Sequence, residues 1–250
     1  MRLTKLHFHA LFSFLSFLFL SQYTVTASAF MDKMEEEDKE SFYTPSMDYP
    51  LTFSKSHKWR RAKATEERRD LTGLPFMTID PEGAKDLDDA LYVEEDRNGS
   101  YHIAIAIADP THYIQPLSPV AKEARRRSFT SYGYAGPIPM LPPKLAQACS
   151  LEQGKNRPAL IVDLYIDKHG NFQDTPIIYR ALIRSQNRLS YGYANSIFEG
   201  KWFGAINPDL KKRLSLTQKA AQALKAYYSE DWEIMSSQEI VSEFMTTANN

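Results

Sequence analysis

The run Ile103-Ala104-Ile105-Ala106-Ile107-Ala108 restricts the fold more than any other stretch of this 250-residue chain. Isoleucine alternates with alanine, so both faces are apolar and one is small. That pattern suits a strand buried on both sides and packed closely against its neighbours. Asp109-Pro110 ends it. Phe76–Ile79 and Ala90–Val93 read as short apolar strands before it. Leu160–Ile166 and Phe172–Ile183 read as strands around the turn Asp167-Lys168-His169-Gly170, a hairpin signal. Helices are predicted over 118–127, with Pro119 in the first turn, over 190–199 and 209–228, and from Gln238 onward. The third carries Leu210, Leu214, Ala221 and Leu224 on one side. Residues 133–143, rich in Gly and Pro, form a fixed irregular loop. The fold class expected is α+β, a mixed and mainly antiparallel sheet with flanking helices.

The first seventy residues differ from the rest. Arg2 and Lys5 precede an apolar run from Leu6 to Leu20, and Ala27-Ser28-Ala29 follows, the pattern of a secretory signal peptide. His7, His9, Ser13 and Ser16 interrupt the run, which is short for a membrane span, so no stable span is expected. A chance apolar leader and a mis-assigned start, with Met31 or Met34 as the true one, are the alternatives. Residues 31–70 read as a charged linker, acidic at Glu35–Asp38 and basic at Lys58, Arg60, Arg61, Lys63, Arg68 and Arg69; a basic arm on RNA phosphates is the functional alternative. The structured part is expected to occupy 71–250. A formal net charge of -1 supplies no global basic field, so any nucleic-acid surface must be local. Cys149 is the single cysteine, which excludes an intrachain disulfide and fits a reducing compartment.

Asp80, Asp86, Asp88 and Asp89 fall within ten residues of one another, between two apolar strands. Two unit charges 4 Å apart repel by about 4 kcal/mol at an effective dielectric of 20. A fold tolerates such crowding where a cation neutralises it, and carboxylate oxygens select magnesium or manganese. Asp86 and Asp88 share one side of an extended segment and Asp89 faces the other. A sharp turn near Gly83 brings Asp80 back toward them. One or two metals held there suit hydrolysis of a phosphodiester. An acidic loop on a solvated surface is the competing reading. An EF-hand loop is not, because the glycine and the closing glutamate are missing from their positions.

These motifs, taken in order, resemble the ribonuclease II (RNB) exoribonuclease family from near Arg69-Asp70-Leu71 to the end of the chain. They are Thr78-Ile79-Asp80 with Asp86-Leu87-Asp88-Asp89-Ala90, Ile105–Asp109, Glu123–Arg127, Ile138-Pro139-Met140-Leu141-Pro142, Cys149-Ser150-Leu151, Ile183-Arg184-Ser185 and Leu189-Ser190-Tyr191. The resemblance implies a cytoplasmic enzyme that degrades single-stranded RNA from its 3′ end and releases nucleoside 5′-monophosphates with Mg2+, or Mn2+ in its place. By position it makes Asp80, Asp86 and Asp89 metal ligands and Asp88 the aspartate most directly needed for cleavage. It puts Tyr132 against the terminal nucleotide and Tyr191 along the RNA path; ordinary packing is the competing role for both tyrosines. Base stacking on an aromatic ring is worth about 1–3 kcal/mol and is blind to sequence.

Other residues carry less. At most two of Arg125, Arg126 and Arg127 can face one RNA strand, leaving the rest as surface charge. His102 and His112 lack a second ligand at zinc spacing and read as structural. Cys149 reads as a core residue without a paired histidine. The family pattern also extends beyond this chain. Its OB-type RNA-guiding domains have no counterpart here, and Glu239–Asn249 resembles a helix in the middle of the catalytic domain. The arginine that clamps the scissile phosphate would lie past Asn250. The expectation is therefore a partial RNB catalytic domain, active with a separate chain carrying the other half, or else a non-catalytic remnant that retains RNA or metal binding.

Overall fold

The computed structural model describes residues 67–133, 136–228 and 235–249. The expected leader and most of the expected linker lie outside them. The described chain divides into two compact units, one built from 67–113 and 146–249, the other from 114–145.

The larger unit is built on a five-stranded closed barrel. Its strands are β1 (Arg69–Asp80), β2 (Asp89–Glu95), β3 (Tyr101–Ala108), β6 (Asn156–Ile166) and β7 (Ile177–Ser190). Neighbours pair antiparallel except β1 with β7, whose parallel pairing closes the barrel. The α+β class thus stands, with closure of the sheet added. Ordered structure also begins earlier than the strand expected at Phe76: β1 starts at Arg69 and runs alongside Ala181 to Ile183. The ladder is irregular between Leu71 and Met77, around Gly73 and Pro75, and Pro75 has no N–H to donate.

The alternation in β3 explains the barrel. Ala104 and Ala106 join Ala90, Ala159, Ala181, Phe76, Ile161 and Ile183 in one buried cluster. Ala106 pairs with Ala90 and with Ile161, and Ala159 pairs with Ala181. Five alanines in this cluster fit the narrow interior that so few strands enclose. Ile103 and Ile105, on the other face, are also fully buried.

Three helices pack outside the barrel: α3 (Tyr191–Phe198), α4 (Pro208–Tyr228) and α5 (Ser237–Asn249). Each has a legible start. Ser190 accepts from the Tyr193 N–H to cap α3. Asn207 accepts from the Asp209 and Leu210 N–H groups ahead of α4, whose first residue is proline. Ser236 and Glu239 form a reciprocal capping box at α5. The predicted apolar side of α4, Leu210, Leu214, Ala221 and Leu224, is buried, and the helix packs on β2 and α5.

The β6–β7 turn forms as predicted at its tip. Asp167 Oδ1 accepts from the His169 and Asn171 N–H groups. The second strand is not continuous from Phe172, however. Phe172 makes one isolated bridge to Ile166, and β7 proper begins after Pro176, at Ile177. Gly170 has φ +83°, and a Cβ there would lie 2.0 Å from the Ala223 carbonyl oxygen of α4.

The smaller unit holds α1 (Pro119–Arg127), capped by Ser118, the two-stranded pair β4 (Ser131–Gly133) and β5 (Gly136–Ile138), and the start of α2 (Pro143–Cys149). Arg127 is buried. Its Nε donates to Glu123 at 2.9 Å and its Nη1 to the Pro139 carbonyl at 2.9 Å, which ties the helix to the loop. Sequence alone assigns the arginines beyond two to surface charge; burial of Arg127 corrects that. Arg125 and Arg126 are exposed, and Arg126 also bonds Glu123.

Gly170→Ala should destabilise the protein by more than about 1 kcal/mol, since it adds a left-handed strain to a backbone clash. Urea unfolding followed by far-UV circular dichroism would read it as a lower midpoint with an unchanged slope.

Candidate active site

Strand β1 ends at Asp80 and β2 begins at Asp89, so the eight residues between them cross one end of the barrel. The turn that starts the crossing is the one foreseen at Gly83. Gly83 has φ +77°, and the Ala84 N–H donates to the Pro81 carbonyl at 3.1 Å. The far half of the loop is pinned at Leu87. Its side chain is fully buried, its N–H donates to Ser150 Oγ at 3.0 Å, and its carbonyl accepts from the Leu151 N–H at 2.8 Å. The Asp88 carbonyl accepts from the Ala108 N–H at 2.7 Å. With Leu87 and Asp89 turned inward, Asp86 and Asp88 face solvent, the alternation expected of an extended segment. Cys149-Ser150-Leu151 therefore acts here as backbone support for the acidic loop. Its sequence gives no signal of that role, because the bonds join residues 63 apart.

Asp80 and Asp89 are each only 5% exposed. Burial pushes the Asp80 carboxyl up to about 6 against the pull of the Thr78 side chain and then of the Arg188 guanidinium, with the Asp88 and Asp86 charges adding to the rise. Burial pushes Asp89 up to about 8, with Asp80 and Asp88 adding. Asp88 opens to solvent on one side but is crowded by protein on the other. That partial desolvation, with the Asp86 charge, raises it to about 6, and water at its open side screens part of the effect. The four aspartates predicted from sequence thus do sense one another electrostatically. Asp80 Oδ2 is buried with no hydrogen-bond partner.

Tyr191 is the first residue of α3. Asp80 stands beside Ser190 in the parallel ladder, so the tyrosine follows directly from that rung. Its phenol is raised by burial first and then by the Asp89 and Asp80 charges. It is 9% exposed, so its ring has little face open to solvent. Tyr132 sits in β4, opposite Pro137, in the smaller unit. Cys149 is buried, and burial together with the Asp88 and Asp109 charges pushes its thiol up to about 12, an unreactive state at neutral pH. His102 Nε2 donates to Asp163 Oδ1, 2.5 Å away, and the ring stacks on Tyr165 at 4.6 Å; His112 packs edge-on to Tyr113. Both histidines are structural, as expected.

The donor chemistry fits a hard divalent cation. All candidate ligands are carboxylate oxygens, one is a buried orphan, and the raised carboxyls would be drawn down by positive charge. Among the described residues no three His, Cys, Asp or Glu side chains converge closely enough to cage an ion by themselves. That is compatible with magnesium, which commonly takes one or two carboxylates and completes its shell with water and substrate phosphate.

A small barrel with buried, mutually coupled aspartates across one end defines a class of protein that comparison makes specific. The RNB domain family matches residues 68–250, and the chain belongs to that family. Exoribonuclease 2 of Edwardsiella piscicida is 38% identical over 173 residues, 66% of this chain and 26% of that protein. Exoribonuclease 2 of Vibrio cholerae is 47% identical over 133 residues, 53% of this chain and 20% of that one. The chain thus spans between a fifth and about a quarter of these relatives. The fold matches Mycoplasma genitalium RNase R, solved with ribose-methylated single-stranded RNA, with TM-score 0.70 and 24% identity over 85% of this chain and 37% of that one. It also matches yeast Ssd1, described as a pseudonuclease, with TM-score 0.57 and 23% identity over 69% of this chain and 21% of that one. Among the described residues no helix is long and apolar enough to cross a membrane.

The raised carboxyls give the apoprotein a pH signature. Each folded pKa lies above the unfolded value near 3.8, so the folded state holds extra protons between about pH 4 and about pH 8. Stability from these groups is complete below that window and is lost as pH rises through it. Thermal melts in chelator should show Tm falling from pH 5 to pH 8, and Asp89→Asn should flatten the trend.

Proposed function

We propose that this chain supplies the carboxylate half of a magnesium-dependent exoribonuclease that removes nucleotides from the 3′ end of single-stranded RNA. The observation that carries the reading is the acidic loop itself: Asp80 and Asp89 are buried inside an RNB-family barrel, Asp80 Oδ2 has no hydrogen-bond partner, and the Arg188 charge offsets the burial of Asp80 only in part, a costly arrangement unless a cation is bound. Asp80, Asp86 and Asp89 would hold that cation, and manganese would serve in magnesium's place. When bound, it supplies Lewis-acid polarisation of the phosphoryl group and favours ionisation of water. Asp88, open to solvent and raised to about 6, takes the proton of the attacking water. A water oxygen bonds to the last phosphorus, the bond from that phosphorus to the preceding 3′ oxygen breaks, and a proton goes to that oxygen. The product is a nucleoside 5′-monophosphate and an RNA one residue shorter.

Tyr132 is assigned, on the family resemblance, to stacking on the terminal base. Tyr191 is assigned, on the same resemblance, to the RNA path, and the Asp89 and Asp80 charges raise its phenol. An exoribonuclease working this way has no need to read sequence, because every base offers a face to stack. The chain's site is cytoplasmic in this reading.

A second reading is favoured by one observation: among the described residues no three His, Cys, Asp or Glu side chains cage a metal unaided. This chain alone would then bind RNA or metal without cleaving. Incubation of the purified chain with Mg2+ and 3′-labelled poly(A) separates the two. Release of labelled mononucleotide, lost in Asp88→Asn by about a hundredfold or more, is the expected result for the enzyme. Retention of RNA with no release supports the binding role, and absence of both rejects each for this polypeptide.

A further inference from the structure

A site made of carboxylates has a difficulty with its own substrate, because RNA arrives as a chain of negative charges. Coulombic repulsion between an aspartate and a phosphate is as unfavourable as that between two aspartates. A bound divalent cation offsets part of this. A fixed positive side chain beside the aspartates would offset more, and would do so before any metal binds.

Arg188 stands in that place. It lies on β7 opposite Thr78 of β1, two rungs before the Asp80–Ser190 pair. Its Nη2 donates to the carbonyl of Ala84 at 2.5 Å, so it reaches across to the loop that joins Asp80 to Asp86. The side chain is exposed to solvent. One N–H of a five-donor fork is used by Ala84, and the planar group suits two-point binding of a phosphate. Its charge also opposes the upward push on the Asp80 carboxyl, after the larger effect of the Thr78 side chain. Arg213, by contrast, spends its guanidinium on Gln186, Asn187 and the Pro75 carbonyl. Arg157 spends its own on the Ser150 carbonyl and Glu152.

We propose that Arg188 is a phosphate-binding residue of this site, held in position by Ala84 so that its free edge receives the RNA backbone next to the acidic loop. The assignment rests on the RNA-degrading reading above. The Ala84 bond fixes one side of the guanidinium and leaves the rest aimed outward. The arginine therefore acts on binding of RNA and on where its phosphate sits, and takes no proton in the reaction.

Phosphate binding has a signature that a purely structural tie lacks. Removing one cation–phosphate pair from a complex with a single strand makes the slope of log K against log salt shallower by about 0.7. The test is binding of a short fluorescent oligo(A) to the full 250-residue chain in EDTA, which prevents cleavage, over a series of KCl concentrations. Arg188→Gln keeps a donor for the Ala84 carbonyl but removes the charge. It should bind several-fold more weakly, with the slope reduced by about 0.7. Arg188→Lys keeps the charge and should retain the wild-type slope. Mn2+ affinity, read from free Mn2+ by electron paramagnetic resonance, should be equal or tighter in Arg188→Gln, since a positive neighbour has been removed. A slope parallel to wild type in Arg188→Gln, or joint weakening of RNA and Mn2+ binding in Arg188→Lys as much as in Arg188→Gln, overturns the assignment and leaves the RNA reading standing. A wild-type chain that binds no RNA at any salt concentration overturns both.

Discussion

The acidic loop holds its shape because Leu87 is fastened three ways. Its side chain enters the barrel core, and both of its backbone groups bond to Ser150 and Leu151. The residues on either side then have no choice of direction. Asp86 and Asp88 point out and Asp89 points in, where its charge raises the Tyr191 phenol and the Asp80 charge raises Asp89 in turn. A cluster of like charges would spread apart if its backbone were free. Here the hydrophobic anchoring of one leucine, worth about 1.5–3 kcal/mol of side-chain burial, works with two backbone bonds against that repulsion. Truncating it would leave a cavity in the core as well as a loose loop.

The barrel supplies the other half of the constraint. Closure by parallel pairing of β1 with β7 sets Asp80 next to Ser190, and the helix that begins there carries Tyr191. Five alanines among the larger side chains of the interior leave room for so tight a closure, so the same Ile–Ala alternation that makes a good buried strand also bears on how tightly the sheet curls. The site is therefore a consequence of the core: two strand ends and one helix start meet where the barrel's small-residue interior brings them together.

Much of this was legible in the chain. The four aspartates, the turn at Gly83, the buried β3, the helix start at Ser118-Pro119 and the apolar side of α4 each depend on residues close in sequence, and local chemistry specifies them. What escaped reading depends on partners far apart. The parallel β1–β7 pairing joins residues more than a hundred positions apart, so periodicity could not reveal that the sheet closes. Arg127 looked like its neighbours Arg125 and Arg126, and only the Pro139 carbonyl and Glu123 distinguish it. Arg188 gave no signal for the same reason: its meaning comes from the Ala84 carbonyl, 104 residues away.

The energetic logic of the site follows from that mixture. Buried Asp80 and Asp89 cost the apoprotein stability at neutral pH, because each must lose either its charge or its solvation. A protein that keeps such groups in a well-fastened frame is storing unfavourable electrostatics that only added positive charge relieves. Two sources of that charge differ in kind. A divalent cation comes and goes with solution conditions, whereas the guanidinium of Arg188 is permanent and lies at the rim, where it offsets Asp80 without neutralising the interior. In the proposed enzyme, a fixed cation at the rim and an exchangeable one at the carboxylates would divide the work: the first would let a polyanion approach, and the second would act once it had arrived. A single buried arginine in the cluster would have satisfied the aspartates permanently and left a metal nothing to neutralise.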